Sequence, residues 1–150
     1  MSLRKAWYTL VQVAYDLVMK LNPRKLAAHA VIQDERGRVL LLRSRYADRW
    51  MLPGGGLDRR ENLDAAVLRE CREELGTEVV VDGLTGIYYH SHNSAYVAIF
   101  KARLVGGELR LSHEHSEYRW LEPDALPDRT RHMVEDALRY EGQPILRTFG

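Results

Sequence analysis

The hydrophobic pattern changes period along the chain. Over residues 4–21, Trp7, Leu10, Val11, Ala14, Leu17, Val18 and Leu21 recur at helical spacing, which predicts an amphipathic helix ended by Asn22-Pro23. Residues 27–33 and 38–42 then read as two strands, joined by the hairpin chemistry of Asp34-Glu35-Arg36-Gly37. Leu40, Leu41 and Leu42 are consecutive, as in a strand covered on both faces. Residues 45–48 are a polar loop, and Trp50-Met51-Leu52-Pro53 leads into Gly54, Gly55 and Gly56. Residues 62–75 form the strongest helical segment, with Asn62 or Asp58 to cap it and Gly76 to stop it. Strands are expected over 79–81, 86–90, 96–104 and 118–121, and a closing helix over 128–140; the tail to Gly150 carries no strong signal. Strands and helices mix without regular βαβ alternation, so the class is α+β, or α/β as a layered sandwich.

Length changes the picture little: 150 residues make one ordinary domain. A formal charge of +1 gives no global field for nucleic acid or an acidic membrane, so no stable nucleic-acid complex is expected, although Arg43, Arg45 and Arg49 form a local basic cluster. With Cys71 as the single cysteine, neither an internal disulfide nor a thiolate metal site can form, which fits a reducing compartment. Mid-helix among apolar neighbours, Cys71 reads as inert. Arg4 and Lys5 precede an apolar stretch, and Ala28-His29-Ala30 has the form of a cleavage site, but Gln12 and Asp16 interrupt the stretch and cleavage would cut a strand. No signal peptide is therefore expected, and no run of eighteen apolar residues predicts a spanning helix. Asp16 also argues against membrane-surface attachment of the N-terminal helix, leaving packing on the domain or on a second subunit.

The candidate chemistry lies on the helix over 62–75. On a wheel of about 100° per residue, Leu63, Ala66 and Val67 define an inward face that Glu70, Glu73 and Glu74 continue, while Ala65, Arg69 and Arg72 point outward. Carboxylates spaced i, i+3 and i+4 repel one another, desolvation disfavours their charge, and the helix C-terminus is itself negative. A bound divalent cation reverses the sign of each of those effects. Hard oxygen donors without a histidine in the cluster suit Mg²⁺, or Mn²⁺, rather than zinc.

Gly55, five residues, Glu61, seven residues, then Arg69-Glu70-Cys71-Arg72-Glu73-Glu74-Leu75-Gly76-Thr77 resembles the Nudix box, with Cys71 and Thr77 standing where larger aliphatics are usual. The resemblance extends more softly over 27–126 and leaves out the N-terminal helix, so the expected division is a helical segment, 1–25, and a Nudix-type domain, 26–150. It implies an α/β/α sandwich with a mixed sheet and a Mg²⁺-dependent pyrophosphohydrolase. Such an enzyme acts in the cytoplasm on a small-molecule nucleoside diphosphate linked to another moiety, by attack of an activated water on phosphorus. Carried over, Glu70, Glu73 and Glu74 would ligate metal, Arg69 would orient them with Glu61 as its partner, and Gly55 and Gly76 would support the loop. A later carboxylate, Glu114 or Glu117, would join Glu73 and Glu74 as a candidate general base, with His113 and His115 as alternatives.

Substrate contacts are expected from Arg43, Arg45, Tyr46, Trp50, Tyr88 and His90, the aromatic rings by stacking on a base. The family's markers for particular substrates do not match. The position of the ADP-ribose proline reads His92-Asn93-Ser94, Tyr96 falls late for a diadenosine-polyphosphate hydrolase, and the spacing after Arg43-Ser44 fails the coenzyme A signature. The competing reading is a nucleotide-binding or regulatory module without catalysis; such modules commonly lose box glutamates, and this chain keeps them. The N-terminal helix is the expected element of any homodimer.

Overall fold

The computed structural model describes residues 25–150, together with Thr9, Leu10 and Val13. Those three are helical, and the remainder of the expected helix over 4–21 lies outside the described residues.

Ten elements follow: β1 (Lys25–Ile32), β2 (Val39–Ser44), β3 (Trp50–Met51), β4 (Gly54–Gly56), α1 (Leu63–Leu75), β5 (Val79–His90), β6 (Ala95–Leu104), β7 (His115–Leu121), α2 (Asp128–Leu138) and β8 (Ile145–Phe149). One sheet runs β4-β1-β6-β5-β8 and a smaller one β3-β2-β7. The larger sheet is mixed, parallel at β1–β6 and β5–β8 and antiparallel at β1–β4 and β5–β6. An isolated bridge between Gln33 and Val39 closes the hairpin from β1 to β2, where Asp34 Oδ1 accepts from the backbone N–H of Arg36 and of Arg38.

β2 shows why three leucines occur in a row. Side chains alternate between the faces of a strand, and here both faces are covered. Leu40 and Leu42 join Ala28, Ala30 and Ile32 beneath Ala66, Val67, Cys71 and Leu75 of α1. Val39 and Leu41 join Val31, Tyr88 and Ile99 beneath Met133, Val134 and Ala137 of α2. The two helices therefore cover opposite faces, giving the α/β/α layering.

Two expectations need correction. The segments 79–81 and 86–90 are one strand, because register shifts between Val81 and Gly83 and between Leu84 and Gly86 bend it without ending it. The tail is also structured: β8 pairs in parallel with β5 at Gly86–His90. Arg147 grips Asp136 of α2 through two bonds of 2.8 Å, and Phe149 stacks on Tyr88 at 5.7 Å.

Candidate active site

Local sequence fixes α1 at both ends. Asn62 Oδ1 accepts from Ala65 N–H at 2.8 Å, and Gly76 takes the left-handed conformation (φ 64°) while its N–H donates to Arg72 O. An N-cap of this kind contributes about 1 kcal/mol. A Cβ at Gly76 would lie 2.8 Å from Arg110 O, so the stop also lets the following loop pass closely.

The acidic face is narrower than the wheel suggests. Glu74 is buried at 4% exposure, and the Glu70 side chain is 15% exposed. Glu73 is corrected to the margin, with its side chain 58% exposed. The buried set is Ala66, Val67, Cys71, Glu74 and Leu75, so Cys71 and Leu75 rotate the inward direction toward Glu74. Glu73 then lies roughly 100° from the centre of the buried arc.

The glycine loop meets this face. Gly54 N–H donates to Glu74 Oε2 at 2.8 Å, and a Cβ on Gly55 would come within 2.7 Å of Glu70 Oε1. Arg69 does not simply point outward. Its guanidinium donates to Glu61 from Nε and Nη2, to Glu70 Oε1 at 2.9 Å, to Glu73 Oε2 at 3.3 Å and to Gly56 O at 3.0 Å. One cation thus links the loop to the acidic helix.

Arg69, helped by Asp58 N–H, holds the Glu61 carboxyl down at about 2 from the ordinary 4.5. A depressed carboxyl stabilises the fold above its unfolded value and loses that contribution as pH falls through its folded value. Glu61→Gln is therefore expected to lower stability at neutral pH and to flatten the acid limb between about 4.5 and about 2. Urea midpoints measured across pH test this; an unchanged acid limb would remove Glu61 from the network.

Burial pushes the Glu74 carboxyl up to about 8, and the charges of Glu70, Glu114 and Glu73 add to the rise against the opposing Gly54 N–H. Glu70 is also raised, chiefly by burial and against the pull of Arg69. Burial lifts the Cys71 thiol to about 12, consistent with an inert core residue.

A histidine lies in this centre, and it is His115, one of the two named as alternatives to the later carboxylate. Ligand atoms of Glu74, Glu114 and His115 all fall within 4.8 Å of one another. His115 is 4% exposed, and burial lowers its basicity, favouring the neutral imidazole. The donors suit a divalent cation: carboxylates aimed together, a neutral imidazole, and a loop whose missing Cβ leaves Glu70 its place. Glu117 is committed elsewhere, to Arg43 at 2.9 Å and Arg119 at 3.5 Å, and Arg43 holds its carboxyl below the ordinary range.

The expected substrate contacts divide. Arg43 is tied to Glu117 and Asp48, and Arg45 Nε donates to His115 O. Tyr46 is exposed. Trp50 carries the Arg119 guanidinium over its ring at 4.8 Å and lines a cleft of about 190 Å³. Tyr88 is corrected to a core residue: it is fully buried, donates to Asp136 and packs on Phe149, so neither face is open to a base. His90 lines the cleft, as do His29, Arg49, His92 and Arg129, which nothing in their local sequence marks as cleft residues. His29 connects cleft and loop, with Nδ1 3.1 Å from Leu52 O.

The NUDIX domain model matches residues 23–140. The chain belongs to the NUDIX family. A MutT-like protein of Streptomyces ambofaciens is 37% identical over 99 residues, which cover 66% of this chain and 64% of that protein. Diphosphoinositol polyphosphate phosphohydrolase 3-alpha of mouse is 40% identical over 67 residues, 43% of this chain and 41% of its own. The chain thus spans less than two thirds of either relative. A solved MutT protein from Methanosarcina mazei superposes with a TM-score of 0.66 at 29% identity, covering 81% of this NUDIX chain and 97% of that one. An ADP-ribose pyrophosphatase from Streptococcus suis gives 0.70 at 24%, over 83% and 98%, which speaks for the shared fold alone. Among the described residues of this NUDIX protein, no helix is long and apolar enough to cross a membrane.

Proposed function

We propose that this protein is a Mg²⁺-dependent pyrophosphohydrolase, with Mn²⁺ as the alternative ion, cleaving a phosphoanhydride bond of a nucleoside diphosphate linked to another moiety. The observation that carries the reading is Glu74. It is a buried carboxylate aimed at a glycine loop, beside Glu70 and Glu114, with no Lys or Arg paired to it among the described residues. Such a group is unfavourable in an apoprotein and suited to a cation.

Glu70, Glu73 and Glu74 would hold the ion, with Glu114 beside them as the later carboxylate. A divalent cation there supplies charge screening, polarisation of the phosphoryl group and a lowered pKa for bound water. The chain's own residues do the positioning: Arg69 fixes Glu61, Glu70 and Glu73 together, and the Gly54–Gly56 backbone admits phosphate close to the helix. Water attacks phosphorus, a new P–O bond forms, and the bridging P–O bond breaks. With Glu117 engaged by arginines, Glu114 is the later carboxylate left to take the proton. The nucleoside would occupy the Trp50 cleft, whose lining residue Leu52 stands two residues before Gly54. On this reading the enzyme works in the cytoplasm, and the segment before residue 26 is an added dimer element.

A panel with Mg²⁺ tests the proposal: nucleoside triphosphates including oxidised ones, ADP-ribose, dinucleoside polyphosphates, CDP-alcohols and 5′-triphosphate RNA. At least one member should release a phosphate-containing product, and chelation should stop it. Nucleotide binding with no product from any member would replace hydrolysis with a binding role.

A further inference from the structure

His115 stands apart from the other donors. Its ring is shut into the protein at 4% exposure, and Nδ1 is buried with no hydrogen-bond partner. Nε2 faces Glu74 Oε1 at 3.7 Å, too long for a hydrogen bond. Buried polar groups are ordinarily satisfied, and Nε2, the ring nitrogen turned toward Glu74, makes no hydrogen bond there and is the atom left open to a ligand. Two donors each about 2.1 Å from one ion stand at most about 4.2 Å apart, a limit that the Glu74–His115 separation meets. Glu114, adjacent in sequence and exposed, places a third donor within 4.8 Å of both, close enough for a side-chain rotation to bring it inside that limit.

We infer that His115 is a direct ligand of a divalent cation shared with Glu74 and Glu114, giving the centre a mixed nitrogen and oxygen donor set that holds Mg²⁺ and raises the affinity for first-row transition ions above that of an oxygen-only site. Carboxylate-only sites suit Mg²⁺, whereas imidazole shifts preference along the transition series toward Co²⁺ and its neighbours. Backbone bonds hold the residue in place. His115 N–H donates to Ser112 O at 3.3 Å, Ser112 N–H donates to Glu74 O, and Arg45 N–H donates to Glu114 O at 2.9 Å. These bonds tether the 112–115 turn to the end of α1 and to the loop after β2, so the imidazole is delivered by sheet and turn. The inference rests on the metal-centre part of the proposed function and not on hydrolysis.

The test loads the full, tag-free chain with one equivalent of Mn²⁺ and reads ¹⁴N coupling by pulsed electron paramagnetic resonance. Imidazole nitrogen modulation is expected in the wild type and in His113→Gln, and its absence in His115→Gln. By competition titration, His115→Gln should weaken Co²⁺ binding at least ~10-fold while Mg²⁺ binding moves less than ~3-fold. Equal losses for both ions would make His115 structural and overturn the inference, as would a wild-type spectrum without nitrogen coupling. Should His115→Gln fail to fold, His115→Asn serves, and the wild-type spectrum decides independently of either variant. Nitrogen coupling without turnover on the substrate panel would overturn the hydrolase reading alone; turnover without nitrogen coupling would overturn the ligand alone.

Discussion

Glu74→Gln is expected to lower turnover by at least ~10²-fold and, in metal-free protein, to raise stability. Both effects have one cause. The Glu74 carboxyl is buried and lies near the charges of Glu70, Glu114 and Glu73, and burial first, then those charges, lifts it from 4.5 to about 8. For a carboxyl raised on folding, the native state binds more protons than the unfolded chain between the two values, so stability falls as pH rises through that window. Glutamine keeps the amide oxygen to accept from Gly54 N–H and removes the charge. The gain at neutral pH should be roughly 1–3 kcal/mol, shrinking toward zero below about 4.5. Thermal unfolding in chelator and turnover in Mg²⁺ measure the two halves. Near-normal turnover would take Glu74 out of the metal centre, and a loss of stability would mean that its charge has a partner in the folded protein.

Gly54→Ala should cost about 3 kcal/mol or more and abolish activity with the fold. Gly54 sits at φ 140°, in register with His29 of β1. A Cβ there would run into Ala28 O and His29 Cα and lie 2.8 Å from His29 Cγ, two of them backbone atoms that cannot step aside. Relief requires separating β4 from β1, which also withdraws the Gly54 N–H from Glu74. Gly106→Ala is the control: a Cβ there meets nothing within 4 Å, although φ is 110°. Its cost should stay near the backbone penalty of about 1 kcal/mol. Urea midpoints of the two variants give the comparison. Equal losses would show that positive φ alone, and not the close approach of β1, makes the position need glycine.

What the sequence determined was local. Helix α1, its caps at Asn62 and Gly76, and the spacing that brings Glu61, Arg69, Glu70, Glu73 and Glu74 together lie within one stretch of chain, where helical geometry turns spacing into direction. The two covered faces of β2 were legible for the same reason, since strand alternation needs no knowledge of distant partners. Even within α1 the tertiary structure decided the final aim: the burial of Cys71 and Leu75 turned the inward axis toward Glu74 and left Glu73 at the edge. Beyond α1, sheet register decided. The parallel pairing of β8 with β5 joins residues some sixty positions apart. The β2–β7 register sets Ser44 opposite His115, whose turn is tied to Glu74. The cleft gathers His29, Trp50, His90 and Arg129 from four separate elements. Contacts of that kind follow from how covered faces pack against one another, which periodicity along the chain does not encode. That is why an acidic helix was readable from the sequence, whereas the choice of His115 over His113, and its place beside Glu74, were decided only in the fold.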